Sequence, residues 1–355
     1  MAIDKPGLAH LPDDVTPEWL MEVFSYAGIE GVIDSLDSAS IGTGQLGENI
    51  RFEIQGSQRL PASVVAKFAS LDPVSKQTGV LMQCYIREVF FYNEIQSTVD
   101  IRTPKVFFAD INPETHDFVI VMEDLKPGVQ GDQLAGCSVD DAALALEELA
   151  KLQGPRWGDE SLFQFELFND TDEEAINAAS SLYEQVQQGF IEKYEDRLSA
   201  DQISMVGKAG NVLVKYATGY TQEKTLSHGD YRLDNMVFGG PYPLTVLDWQ
   251  TIQMGCALSD VSYFLGTSLL SEDRVKSERD LVNHYYDVLK SYKVNLTADD
   301  CWKYYRHYAP AGLIMAVTAS MIVGETERGN DMFMAMATRS SDMCTDLESI
   351  QLLQS

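Results

Sequence analysis

The chain has 355 residues, enough for two domains that each bury a core. Hydrophobic residues make up 45% and charged residues 23%, which is the balance of a globular protein and excludes a disordered one. The formal net charge of −28 produces a surface potential that repels phosphate backbones, so we expect no nucleic-acid partner.

The five cysteines are dispersed and contain no C-x-x-C pair, so the sequence predicts neither a zinc site nor a disulfide framework. The first residues lack a basic region followed by an apolar core, so no secretory signal is predicted. The longest apolar window, residues 311–323, is too short to span a bilayer and predicts a buried helix. We therefore expect a cytoplasmic protein with no membrane partner, of unassigned oligomeric state.

A glycine-rich segment follows the first predicted helix, which begins at Thr16-Pro17-Glu18. The segment contains Gly42, Gly44 and Gly47, and residues 50–54 then alternate between apolar and charged side chains. That alternation predicts a strand, whereas a dinucleotide-binding fold requires a helix at this point. A strand, a glycine loop and a second strand are typical of the flap that covers nucleotide phosphates in kinases. A plain hairpin turn is the alternative.

A lone lysine, Lys67, interrupts an apolar strand at residues 64–68. One long helix is predicted after Pro73, ending near residue 96. On this helix Glu88 has apolar neighbours three and four positions away, and a buried carboxylate needs a partner. We predict that Glu88 pairs with Lys67, with Glu94 as the second candidate. A solvated edge-strand lysine is the alternative.

Two further strands, at residues 104–109 and 118–122, complete a predicted N-terminal lobe of five strands and one long helix over residues 1–124. The periodicity then becomes helical, which predicts a second lobe over residues 125–355. Its main helices are predicted at residues 140–153, 173–195, 200–220, 259–268, 273–292, 298–324 and 329–353.

Residues 226–250 carry the most informative pattern in the chain. Two short apolar runs around residues 239–241 predict a β-hairpin, with Asn235 at its entrance and Asp248 at its exit. A closed hairpin would make these two side chains neighbours, and their oxygens are hard ligands suited to Mg²⁺. Asp230 is then free as a base for a hydroxyl nucleophile. A metal clamp and a base are what phosphoryl transfer requires.

The motifs His228 to Asn235 and Asp248-Trp249-Gln250 resemble the catalytic and metal motifs of the aminoglycoside phosphotransferase and choline kinase group. Protein kinases carry a related pair, H-R-D-x-x-x-x-N and D-F-G, but Gly229 stands where they have Arg. Residues 255–265 resemble the ecdysteroid kinase-like branch of the small-molecule group. The resemblance implies an α+β, two-lobed protein-kinase-like fold, with a small antiparallel-sheet N-lobe and a larger, mainly helical C-lobe.

The resemblance also implies a set of site roles for an ATP-dependent kinase of a small-molecule alcohol. Asp260 is expected to support the catalytic loop, although an acid that complements a helix dipole is the alternative. His228, Arg232 and Asp234 are interpreted as scaffold. The implied contacts are ATP phosphates under Gly42, Gly44 and Gly47; the α- and β-phosphates at Lys67, fixed by Glu88; adenine at the backbone near Glu123 and Leu125; Mg²⁺ at Asn235 and Asp248; and the acceptor hydroxyl at Asp230.

Two other functions remain open at this point. One is a nucleotide-binding regulatory protein without transferase activity, and the other is a protein kinase, against which Gly229 and the D-W-Q motif both argue. The aromatic residues of segment 302–308 are interpreted as core, with a cage for a quaternary ammonium group as the alternative. The identity of the acceptor is not specified by the sequence.

Overall fold

The computed structural model describes residues 4–42, 46–168 and 173–354, and the chain divides into two compact units. The first unit comprises Met1–Ser97, Thr103–Gly128 and Leu247–Thr251. The second comprises Thr98–Arg102, Val129–Val246 and Ile252–Ser355. Each unit therefore contains a short segment that lies, in sequence, within the span of the other.

A five-stranded antiparallel sheet forms the centre of the first unit, in the order β1-β2-β3-β5-β4. The five predicted strands are present, and β1 and β2 flank the glycine-rich segment. Gly44 lies outside the described residues. The strands are β1 (Ile33–Ile41), β2 (Gly47–Gly56), β3 (Ser63–Ala69), β4 (Val106–Ile111) and β5 (Phe118–Glu123).

One face of this sheet packs against helix α1 (Pro17–Tyr26) and forms the main core of the unit. Val64, Ala66 and Phe68 of β3 belong to that core, together with Phe24 of α1. Because side chains alternate along a strand, Lys67 lies on the opposite face of the sheet. The apolar pattern of β3 thus determines which side of the sheet carries the lysine.

The prediction of one continuous long helix after Pro73 is wrong. The segment is broken into α2 (Pro73–Leu81) and α3 (Cys84–Phe90), and α3 is followed by a π-helical turn, Phe91–Ile95, and a 3-10 turn, Gln96–Thr98. Gln83 between α2 and α3 has a φ of 57°, and a right-handed helix cannot continue through a left-handed residue. No glycine or proline marks this break in the sequence. Glu88 nevertheless occupies the buried face of α3.

The second unit is mainly helical, with two small antiparallel sheets in the orders β6-β8-β9 and β7-β10. Its strands are β6 (Val129–Gln130), β7 (Thr225–Ser227), β8 (Met236–Phe238), β9 (Leu244–Val246) and β10 (Gln253–Gly255). Its helices are α4 (Val139–Gln153), α5 (Glu173–Tyr194), α6 (Ala200–Gly210), α7 (Leu213–Thr218), α8 (Ala257–Ser268), α9 (Ser271–Leu289), α10 (Ala298–His307), α11 (Ala311–Ile322), α12 (Glu327–Asp346) and α13 (Ser349–Gln354).

Three predicted helices of this unit are each divided in two. The segment 200–220 breaks after Gly210, and the segment 298–324 breaks before Pro310, which cannot donate a helical hydrogen bond. The segment 329–353 breaks at Glu348, whose φ is 50°. The predicted hairpin is confirmed, since β8 pairs antiparallel with β9 and Met236 lies opposite Val246.

The aromatic residues near segment 302–308 belong to the core of this unit. Tyr285, Tyr304 and Tyr305 are fully buried, and Trp302 stacks on Tyr305. Their burial confirms the interpretation of these three tyrosines as core. Across the three described stretches of the chain, no helix is long and apolar enough to cross a membrane.

Replacing Phe24 with Ala should destabilise the first unit by about 3 kcal/mol or more, because the cavity cannot close around a deleted aromatic ring. Phe24 is 0% exposed and its ring meets Phe107 edge-on at 5.5 Å. Denaturant unfolding provides the measurement. Glu22→Ala on the exposed face of the same helix is the matched control, expected within about 0.5 kcal/mol of the parent. Equal losses in both variants would contradict the packing described for α1.

Candidate active site

A buried ion pair joins Lys67 of β3 to Glu88 of α3. The Lys67 Nζ lies 2.9 Å from Glu88 Oε1 and 2.7 Å from Oε2. Asp248 Oδ1 is 3.5 Å from the same nitrogen. Burial alone would lower the pKa of Lys67, but the charges of Asp248 and Glu88 outweigh burial and raise it. The ammonium is therefore charged at neutral pH, and its predicted pairing with Glu88, not the exposed Glu94, is confirmed.

Gly47 lets β2 run close over this lysine. A Cβ added at Gly47 would lie 2.9 Å from the carbonyl oxygen of Phe68 and 3.3 Å from Lys67 Cε. Any other residue would push the strand away from the ammonium. At the end of β1, Gly42 has a φ of 75°, a conformation in which glycine is strongly favoured. Both ends of the glycine-rich segment thus require glycine for physical reasons.

Asp248 has a left-handed backbone, with a φ of 64°. A non-glycine residue in this conformation costs about 1–3 kcal/mol and persists only where its surroundings enforce it. The next residue, Trp249, is fully buried and stacks on Phe91 with ring centroids 3.6 Å apart. The side chain of Asp248 is 36% exposed. Burial of the Trp249 indole therefore stabilises the left-handed turn at Asp248. In that turn the Asp248 carboxylate stays accessible to solvent.

The chain at the predicted adenine contact is held by side chains of the same unit. The Glu123 N–H donates to the Lys105 carbonyl at 2.9 Å, and its carboxylate accepts from the Lys105 N–H at 2.7 Å. Asp124 accepts from Arg51 Nε at 2.7 Å. Leu125 is buried. The Glu123 N–H is thus engaged within the protein and does not remain as a donor for a ligand.

In the second unit, a helix carboxylate holds the loop that carries Asp230. Asp260 Oδ2 accepts from the His228 N–H at 2.8 Å, and Oδ1 accepts from the Gly229 N–H at 3.0 Å. Asp260 is 2% exposed, and burial raises its pKa. The predicted support of the loop is therefore confirmed, although Asp260 also lies in the first turn of α8. Gly229 has a φ of 80°, which explains a glycine at this position.

The Asp230 carboxylate is surrounded by hydrogen-bond donors. Arg232 Nε lies 2.9 Å from Oδ1 and 3.0 Å from Oδ2, and the Tyr263 hydroxyl donates to Oδ1 at 2.6 Å. Asn235 Nδ2 donates to Oδ2 at 3.0 Å and to the Asp230 carbonyl at 2.8 Å. Burial alone would raise the pKa of Asp230, but the Arg232 charge and the Tyr263 hydrogen bond hold it below its usual value. The group is a fixed, ionised acceptor at neutral pH.

Asn235 is oriented by Asp230. Its nitrogen makes both of the hydrogen bonds just given, so its amide oxygen is the end that remains for a cation. Within the described residues there is no cluster of three or more acidic, histidine or cysteine side chains that could hold a metal by itself. The predicted ligands Asn235 and Asp248 belong to different units.

Two residues of this site, Tyr263 and Arg328, were missed by the sequence analysis. Arg328 Nη1 and Nη2 donate to Asp234 at 3.0 and 2.8 Å, and Arg232 Nη1 donates to Asp234 at 2.8 Å. The scaffold interpretation of Arg232 and Asp234 agrees with these contacts. Tyr263 and Arg328 come from helices α8 and α12, so no local spacing relates them to the loop.

Three solved structures that match this chain are described as small-molecule kinases or phosphotransferases. A choline kinase from Cryptosporidium parvum matches with a TM-score of 0.57 and 10% identity, covering 90% of this chain and 94% of its own. A microcompartment-associated aminopropanol kinase matches with a TM-score of 0.54 and 11% identity, covering 94% and 98%. The GDP complex of an aminoglycoside 2′-phosphotransferase matches with a TM-score of 0.51 and 14% identity, covering 94% and 96%.

At such low identities these structural matches show the fold alone, and they confirm the predicted two-lobed protein-kinase-like architecture. The model of the ecdysteroid kinase-like family matches residues 49–297. The chain therefore belongs to the ecdysteroid kinase-like family, and the sequence resemblance is confirmed. No curated protein matches the chain.

Replacing Asp260 with Ala should destabilise the second unit by about 2 kcal/mol or more, because the N–H groups of buried His228 and half-buried Gly229 lose their acceptor. Thermal or denaturant unfolding provides the measurement. Glu272→Ala, which removes a 90% exposed acid from the first turn of α9 together with its exposed contact to Lys276, is the control for a helix-dipole effect. That control should cost less than about 1 kcal/mol. Similar losses in the two variants would favour the dipole explanation of Asp260.

Proposed function

We propose that this protein is an ATP-dependent phosphotransferase that phosphorylates a hydroxyl group of a small molecule. The observation that carries the proposal is the Lys67 ammonium, buried between Glu88 and Asp248 and covered by Gly47. A cation that is fixed beneath a glycine strand is a phosphate-binding feature, and the family membership agrees with it.

In this proposal the nucleotide phosphates lie under the segment from Gly42 through Gly44 to Gly47. Lys67, held by Glu88, binds the α- and β-phosphates, and backbone groups near Glu123 and Leu125 face the adenine. The ion pair fixes the ammonium before the nucleotide arrives, so little side-chain entropy remains to be lost on binding.

Asn235 and Asp248 are the proposed ligands for Mg²⁺. An amide oxygen left free by the orientation of Asn235 and a carboxylate that is 36% exposed are hard oxygen donors, as this ion prefers. Two protein ligands suit an ion that completes its coordination with water and phosphate oxygens. When bound, Mg²⁺ would neutralise the charge that develops on the transferred phosphoryl group.

Asp230 is proposed to accept the hydrogen bond of the attacking hydroxyl and to receive its proton. Its low pKa keeps the carboxylate ionised, so it is ready to orient the hydroxyl in the ground state. The hydroxyl becomes more acidic only as its oxygen bonds to phosphorus, so the proton moves late. Positioning therefore supplies more of the rate than base strength, as expected for a loose phosphoryl transition state.

The decisive experiment is an acceptor panel of alcohols, amino alcohols, sugars, aminoglycosides and steroids, incubated with the purified protein and MgATP. Formation of a phosphorylated alcohol together with ADP supports the proposal. Slow ATP hydrolysis that no acceptor accelerates would instead favour a regulatory nucleotide-binding protein.

Asp248→Ala and Asp230→Asn should separate two roles. Asp248→Ala should abolish turnover with MgATP, because it removes a metal ligand. Asp230→Asn should keep nucleotide binding but lose about 10²–10⁴-fold in turnover, the usual contribution of a positioned base. Nucleotide binding by calorimetry and steady-state kinetics provide the two measurements.

Asp299→Asn is the matched control for these two variants, since the Asp299 carboxylate is 98% exposed in the second unit. It should retain parental turnover and nucleotide binding. Equal loss of nucleotide binding in Asp248→Ala and Asp230→Asn would contradict the role assignments.

A further inference from the structure

One turn of helix α8 holds both the backbone and the side chain of the catalytic loop. Asp260 and Tyr263 are three residues apart and so lie on the same face of the helix. Asp260 accepts the N–H groups of His228 and Gly229, and Tyr263 donates its hydroxyl to Asp230 at 2.6 Å. The helix thus fixes where the loop lies and also where its carboxylate points.

The Tyr263 hydroxyl can act only as a donor in this contact. The residue is 4% exposed, and burial together with the negative charge of Asp230 raises its pKa well above the usual value. The phenol therefore stays protonated and does not exchange roles with the carboxylate. A hydrogen bond from a neutral donor to an ionised acceptor is short and about twice as strong as a neutral one.

Among the donors around Asp230, Tyr263 differs from Arg232. Arg232 Nε is shared between both carboxylate oxygens, and its Nη1 also binds Asp234 at 2.8 Å. Arg232 therefore keeps a carboxylate partner if Asp230 turns or accepts a new donor. The Tyr263 hydroxyl is directed at Oδ1 of Asp230. Asn235 donates to Oδ2 of Asp230, and its own amide oxygen is a proposed metal ligand.

We propose that Tyr263 is a positioning residue for phosphoryl transfer, whose hydroxyl holds Oδ1 of Asp230 and fixes the carboxylate toward the acceptor hydroxyl. The inference rests on the proposed function and adds to it a residue outside the catalytic and metal motifs. An incoming hydroxyl must donate its hydrogen bond to a lone pair of Asp230. Arg232 can give up one of its two contacts with the carboxylate to free that lone pair, while Tyr263 keeps the carboxylate in its orientation.

The simpler interpretation is that Tyr263 only fills the core. A phenylalanine would fill the same space, so Tyr263→Phe separates the hydroxyl from the ring. The chain offers a matched control in Tyr305, a fully buried tyrosine of the same unit, whose hydroxyl donates to Glu278 at 2.7 Å. Tyr305→Phe removes the same kind of hydrogen bond from a residue with no proposed part in the reaction.

The test uses the full-length protein with MgATP and an acceptor found in the panel. Tyr263→Phe should lower kcat by about 10- to 100-fold, the scale expected for a misplaced catalytic group, and leave KM for MgATP within about twofold. Tyr305→Phe should lower the unfolding midpoint but leave kcat unchanged. A parental kcat in Tyr263→Phe, or an equal fall of kcat in both variants, would overturn the inference.

A double-mutant cycle with Asp230→Asn shows whether the hydroxyl acts through Asp230. In the Asp230→Asn background, Tyr263→Phe should cause little further loss of kcat, because the group it orients is gone. Independent, multiplicative effects would mean that Tyr263 acts elsewhere, and would reject the positioning role.

The parent, Tyr263→Phe, Asp230→Asn and the double variant are also studied by denaturant unfolding. This comparison distinguishes failure of the inference from failure of the proposed function. Coupling of the two residues in kcat and in unfolding supports the positioning role. Coupling in unfolding, with no turnover by the parent on any acceptor, rejects the phosphotransferase function and the positioning role with it. Parental turnover without coupling in kcat rejects the positioning role alone.

Discussion

A buried carboxylate that accepts two backbone N–H groups is the interaction on which the loop that carries Asp230 depends. Without Asp260, the amides of His228 and Gly229 would be buried without partners, and the loop would have to open to water. Gln153 Nε2 also reaches Asp260, at 3.3 Å, so helix α4 contributes to the same point. Side chains of α8 and α4 therefore hold the loop in place.

The charges on that loop alternate in sign and hold each other in place. Arg232 lies between Asp230 and Asp234, and Arg328 binds both carboxylate oxygens of Asp234. Each carboxylate therefore has a guanidinium partner, which offsets the free energy of removing it from water. The network orients Asp230 without neutralising it, as an acceptor of hydrogen bonds requires.

Helix α12 supports the loop from the C-terminal part of the chain. Besides Arg328, it supplies Arg339, which donates to the carbonyls of Gln133 and Thr267 at 2.8 Å each. The side chain of Gln133 in turn accepts the Leu233 N–H at 2.9 Å. Segments more than one hundred residues apart thus meet at the loop that carries Asp230, and its geometry depends on the second unit as a whole.

Local spacing in the sequence determined much of the secondary structure of this protein. The alternation around Lys67, the glycines before β2 and the hairpin after Asn235 predicted their elements correctly, because each depends on a side-chain period or on a turn. The motifs at 228–235 and 248–250, together with residues 255–265, were sufficient to identify the family. The tertiary structure alone decided the breaks at Gln83 and Glu348 and the partners of Asp230 and Asp234. Those features depend on packing and on charges brought together from distant helices, which short-range sequence patterns do not encode.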